Sequence, residues 1–238
     1  NAADVLGYDT TRPSVFYCYD KTNQYLFLRM RLSNSTFTNK PTSGANADPF
    51  GSETWTLFID TDGDGWKEFG ILLDGQTGIP SSPIDEVRVY YSNANSQSLA
   101  TATLTFRKKM LTDAGGKPID SDSRAEVYDF GWARAIEPGT NDIITGGGYF
   151  VDFQIPLPAF NDGSGNQLIT PTTVISFGYA TGNSNTNPLQ KDIVYFGDYS
   201  GGNDKPFPFG DQLTLQDGIV QAPYIENPIK VADRKSVV

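Results

Sequence analysis

Glu53-Thr54-Trp55-Thr56-Leu57-Phe58-Ile59-Asp60-Thr61-Asp62-Gly63-Asp64-Gly65-Trp66 decides the fold. Its first eight residues alternate, with Trp55, Leu57 and Ile59 on one side, which is the period of a strand with one face on a core. Asp60, Asp62 and Asp64 then recur at every second position before Gly65. Three carboxylates spaced this way converge on one hard cation, and the glycine lets the chain reverse. Residues 66–74 resume as a strand, so the two runs form a hairpin around the acidic turn. Calcium suits an all-oxygen cage, and Glu68 and Asp74 are the acids available to complete it. The twelfth position is Ile71 rather than Glu and both flanks are strands, so this reads as a calcium-binding hairpin turn and not an EF-hand. A solvated acidic turn is the competing reading, because Asp-Gly pairs are ordinary hairpin chemistry. Three crowded acids repel one another unless a cation neutralises them, which favours the ion.

Working outward, residues 14–20 and 24–32 are β-rich runs joined by Lys21-Thr22-Asn23. In the second run Leu26, Leu28, Met30 and Leu32 share the face expected inside, and Tyr25, Phe27, Arg29 and Arg31 share the other. Further strands are expected at 84–91, 99–108, 125–133, 149–157, 173–181, 192–199 and 212–220. Residues 33–52 read as a long irregular excursion. No segment sustains a helical period, so the chain is expected to be all-β, a two-sheet antiparallel β-sandwich of jelly-roll type. Residues 1–222 form one domain, and 223–238 an extended exit segment. Its end, Asp233-Arg234-Lys235-Ser236-Val237-Val238, reads as translated adapter sequence closing a truncated frame.

The 238 residues carry a formal charge of -10, which repels nucleic acid. No apolar run is long enough for a membrane span. Histidine is absent, which removes Ser-His-Asp and Cys-His nucleophile systems and histidine-ligated metals. Cys18, the single cysteine, is expected as a buried thiol within a strand. Glu86, Glu126 and Asp152 lie on expected strands and are the carboxylates a glycosidase pair would draw on. With 28 acids in the chain some such pair always exists, so no active site is assigned and the chain is read as non-enzymatic.

Asn161-Asp162-Gly163-Ser164-Gly165-Asn166 reads as a Gly-rich loop, with a weaker second cation site as the other reading. Tyr8, Tyr25, Trp66, Trp132, Tyr195 and Tyr199 are aromatics outside the core pattern, suited to sugar stacking or to cross-strand packing. Lys205-Pro206-Phe207-Pro208-Phe209-Gly210 is a stiff apolar strip expected to seal one end of the sandwich or to receive a partner strand.

Three pieces in order carry a resemblance: Tyr25-Leu26-Phe27-Leu28-Arg29-Met30-Arg31-Leu32, then Glu53 to Asp60 with its acidic turn, then Gly148-Tyr149-Phe150-Val151-Asp152-Phe153-Gln154-Ile155-Pro156-Leu157. Together they resemble the DOMON-like and family-nine-type carbohydrate-binding β-sandwiches. Similar acidic sandwiches occur in bacterial surface-layer and adhesin-type proteins. The resemblance implies a secreted sandwich with bound calcium and carries Asp60, Asp62 and Asp64 over as ligands. It does not carry over the sugar-binding tryptophans. Haem is not expected, because the chain offers no histidine and only Met30 and Met110.

The expected role is a non-catalytic extracellular structural protein, a calcium-stabilised cell-surface or filament subunit. It would assemble by strand addition, with residues 1–11 or the segment after Gln221 as donor. Its partners would be further copies or other surface proteins. The second reading is a calcium-stabilised carbohydrate-binding module, distinguished by an exposed aromatic platform on one sheet face.

Overall fold

The computed structural model describes residues 15–36, 50–51, 53–75, 85–114, 119, 121, 127–137, 149–184, 186–189, 193–194, 202–209, 212–215 and 231–232. Its strands are β1 (Val15–Asp20), β2 (Tyr25–Leu32), β3 (Thr54–Asp60), β4 (Phe69–Asp74), β5 (Glu86–Tyr91), β6 (Thr103–Lys109) and β7 (Val127–Asp129). They continue with β8 (Ala133–Ile136), β9 (Tyr149–Pro156), β10 (Val174–Gly182), β11 (Ile193–Val194), β12 (Leu213–Thr214) and β13 (Val231–Ala232). One short 3-10 turn, Leu157–Ala159, follows β9. No helix among the described residues is long and apolar enough to cross a membrane.

The strands form two antiparallel sheets. A five-stranded sheet runs β1-β2-β9-β8-β7, and an eight-stranded sheet runs β13-β11-β10-β3-β4-β5-β6 with β12 on β10. The chain crosses between sheets from β2 to β3, from β6 to β7 and from β9 to β10, and the strands of the first and last crossings pair as β2 with β9 and β3 with β10. Leu26, Leu28 and Met30 from the first sheet meet Trp55, Leu57, Ile59, Phe69 and Ile71 from the second in one buried cluster. Tyr17 and Phe177 touch across the gap, with ring centroids 5.0 Å apart.

The outward face of β3 and β4 is also buried. Phe58, Leu72 and Ala180 lie under Leu99, Leu189 and Phe207 in a second cluster. This explains why β3 and β4 are buried at every position although the sequence of β3 alternates. The Pro-Phe strip therefore lies across the outer face of the eight-stranded sheet rather than sealing an end. Phe207 rests on Phe58 with centroids 5.9 Å apart, and a Cβ at Gly178 would come 2.4 Å from the Phe207 ring.

Several expectations need correction. Residues 125–133 are not one strand: β7 ends at a turn where Gly131 has φ 87, and β8 starts anew at Ala133. Within the extended exit segment, Val231–Ala232 pairs with β11. Cys18 is half-buried rather than a core thiol. Its neighbours Tyr17 and Tyr19 take the inward parity of β1, which turns Cys18 out. Burial and the nearby Asp20 charge push its thiol above the ordinary value, which disfavours the thiolate.

Candidate functional site

The acidic turn joins β3 to β4. Asp60 is buried at the end of β3, with Oδ1 accepting the Asp62 and Gly63 amides at 3.0 and 2.6 Å and Oδ2 the Gly65 amide at 2.9 Å. Glu68 Oε2 accepts the Thr61 amide at 2.6 Å and its hydroxyl at 2.9 Å. Carboxylate oxygens of Asp60, Asp62 and Glu68 lie within 4.8 Å of one another. Burial raises the Glu68 pKa, the Thr61 bonds oppose this, and the Asp62 and Asp60 charges raise it further.

The other two expected ligands lie elsewhere. Asp64 is exposed and stands outside that trio, accepting the Trp66 amide at 2.8 Å in a local Asx turn. Asp74 ends β4 opposite Thr54, at the far end of the hairpin from the turn, where Arg88 approaches it at 3.0 Å. The loop at 161–166 uses its oxygens internally: Asp162 accepts the Ser164 and Asn166 amides at 2.8 and 3.1 Å and the Asn166 side-chain amide at 2.7 Å.

The strip is tied to the acidic turn. The Phe207 amide donates to the Gly65 carbonyl at 2.7 Å. Gly65 has φ 86, and a Cβ there would meet Pro206 at 2.8 Å, so only glycine fits on both counts. Beside it Lys67 is 1 % exposed and donates to the Ser96 carbonyl at 2.6 Å. Burial brings its pKa down from 10.5 to about 8, against the opposing pull of Glu68. The unfolded chain holds this proton up to the ordinary value while the folded chain releases it near 8, so stability should rise with pH between the two. Lys67→Met should flatten that rise and stabilise the protein at neutral pH; equal slopes in urea titrations of both proteins would refute the assignment.

The second place of interest is the outer face of the five-stranded sheet. Register sets a row of Phe16, Arg29, Asp152, Arg134 and Asp129 across β1, β2, β9, β8 and β7. Arg29 grips Asp152 with two bonds of 2.7 Å, and its guanidinium lies 5.1 Å from the Phe150 ring centre. Arg134 donates to Asp129 at 3.1 and 2.5 Å. A parallel row places Cys18, Phe27 and Gln154 side by side, and Gln154 donates to the Gly131 carbonyl at 2.7 Å.

Together with Trp132 these residues line an open groove of about 290 Å³. Phe27 is 39 % exposed. Tyr25 lies 6.3 Å from Phe27 and 6.1 Å from Trp132, and Lys108 caps Trp132 at 5.5 Å.

Of the carboxylates named for glycosidase chemistry, Glu86 is held by Arg88 and Arg107 in the eight-stranded sheet and Asp152 by Arg29 in the other. Glu126, Tyr8, Tyr195, Tyr199 and the donor segment 1–11 lie outside the described residues. Among the aromatics named from sequence, Tyr25 and Trp132 join the groove region. Sequence reasoning missed Phe16, Arg29, Arg134 and Asp129. The signal was present in β2, whose outward parity carries Phe and Arg in place of Ser and Thr. No protein-family model, curated protein or solved structure matches the chain.

Proposed function

We propose that this chain is a non-catalytic extracellular carbohydrate-binding sandwich of jelly-roll type, with a structural calcium ion in its acidic turn. The groove on the five-stranded sheet carries this reading: aromatic faces beside hydrogen-bonding pairs are what a sugar ring requires, since its C–H face packs on the rings while its hydroxyls need polar partners. The motif order that resembles carbohydrate-binding sandwiches argues the same way. Affinity electrophoresis against a panel of plant and microbial polysaccharides tests it. Retardation by at least one polymer, lost in Phe27→Ala and Trp132→Ala proteins that melt normally, is expected; no retardation by any polymer would overturn it.

The donor set of the turn fits calcium, being all carboxylate oxygen and close enough to share one ion. Asp60, Asp62 and Glu68 would hold it, and the ion would neutralise three acids that otherwise repel. Its role is to brace the hairpin and the strip tied to Gly65. At a concentration one hundred times Kd, calcium should stabilise the fold by about 2.7 kcal/mol. Melting in calcium and in excess chelator measures this, and Asp60→Asn should lose the difference. Identical melting temperatures would show that the turn holds no structural ion.

The surface or filament reading stands second, favoured by one observation. β13 from the C-terminal segment adds to the edge of β11 in its own sheet, and the same pairing made between molecules would propagate an assembly. Light scattering with and without residues 223–238 tests it. A monomer under all calcium conditions would rule it out.

A further inference from the structure

We infer that the groove selects neutral glycans over uronate or sulfated ones; this rests on the carbohydrate-binding reading and names its ligand class. The polar floor is a row of alternating sign, Arg29, Asp152, Arg134 and Asp129, in which each guanidinium is bonded to a carboxylate. The row is charge-balanced. A hydroxyl donates and accepts at once, so a sugar diol bridges a guanidinium and its neighbouring carboxylate without adding charge. A uronate entering the same row would compete with Asp152 or Asp129 for an arginine already held and would bring a third anion beside them. Like charges brought together in a partly desolvated groove oppose binding.

The partial burial of the row strengthens this selection. Side-chain exposures are 23 % for Arg29, 19 % each for Asp152 and Asp129 and 36 % for Arg134, so solvent screens an anion added beside the two carboxylates incompletely. The formal charge of -10 acts in the same direction at long range, slowing the approach of any polyanion. The row spans β2 to β7, three strand spacings or about 14 Å, which suits a run of sugar rings lying across the strands.

The experiment is affinity electrophoresis of the whole chain in gels containing soluble glucan, xylan or galactomannan, against polygalacturonate and alginate at matched ionic strength. The wild-type protein is expected to bind at least one neutral polymer about tenfold or more tightly than either polyuronate, the equivalent of about 1.4 kcal/mol. Asp152→Asn and Asp129→Asn each leave a guanidinium with excess positive charge, and either should gain about tenfold towards polygalacturonate. Two variants are used so that misfolding of one leaves the other informative.

Polyuronate binding equal to or tighter than neutral binding in the wild type would overturn the neutral-ligand inference while leaving the carbohydrate reading intact. Failure of both Asn variants, folded by circular dichroism, to gain polyuronate affinity would overturn it as well. Binding to no polymer of either kind would remove the carbohydrate reading itself.

Discussion

Arg88→Met is expected to lower the free energy of unfolding by about 3–5 kcal/mol, because it removes the cation from a buried ion network. Arg88 sits 3.0 Å from Asp74 Oδ2 and also bonds Glu86, and the two acids are 0 % and 1 % exposed. Glu86 keeps Arg107 after the substitution, but Asp74 loses its ion pair with Arg88. Removing one member of a buried pair costs far more than the pair itself contributes, since the remaining charge has been taken out of water. For a chain of this length the melting temperature should fall on the order of 10 °C. Arg107→Met is the comparison: its side chain is half exposed, so its loss should cost no more than about 1 kcal/mol. Urea denaturation of both variants decides the matter, and equal costs would mean that Asp74 does not depend on Arg88.

Phe207→Ala should cost about 3–5 kcal/mol, the range for removing a fully packed aromatic ring. Phe207 is 2 % exposed, stacks edge-on against Phe58 and fills the space left by the missing side chain of Gly178. Its removal uncovers Phe58 and Gly178 on the outer face of the sheet. The variant should therefore bind an apolar dye in the native state, which a simple core cavity would not cause. Phe209→Ala, at the partly buried edge of the same cluster, should have a smaller effect on both measurements. A Phe207→Ala protein with unchanged stability would show that the strip is not part of the folded sandwich.

The hairpin was legible because its signals are local. Period-two alternation in 53–60 and the Asp-Gly turn specify a strand, a reversal and a second strand whatever surrounds them. The inward face of β2 was legible for the same reason, and Leu26, Leu28, Met30 and Leu32 are all essentially inaccessible. The acidic cluster of Asp60, Asp62 and Glu68 was legible as part of a wider set of five acids. Asp60 and Asp62 share a turn, so their approach follows from the chain itself. Glu68 joins them because the hairpin register pairs Ile59 with Phe69 and places Glu68 just past the last ladder pair. Asp74 carries the same chemistry, but six residues of extended β4 carry it to the other end of the hairpin.

The sequence by itself determined the all-β class, the hairpin with its acidic turn, and which residues of each strand share a face. Each depends on neighbours a few positions apart and on the fixed geometry of an extended chain. Only the tertiary structure decided that the outer face of β3 and β4 is covered, by Leu99, by Leu189 and by Phe207 of the proline-phenylalanine strip. It also decided that Arg29 meets Asp152, 123 residues later, in a charge-balanced row beside the exposed Phe27 ring. The physical reason is register: parity assigns a side chain to a face, but its partner depends on how distant strands slide against one another. That alignment is set by packing of the whole core, and no single segment encodes it.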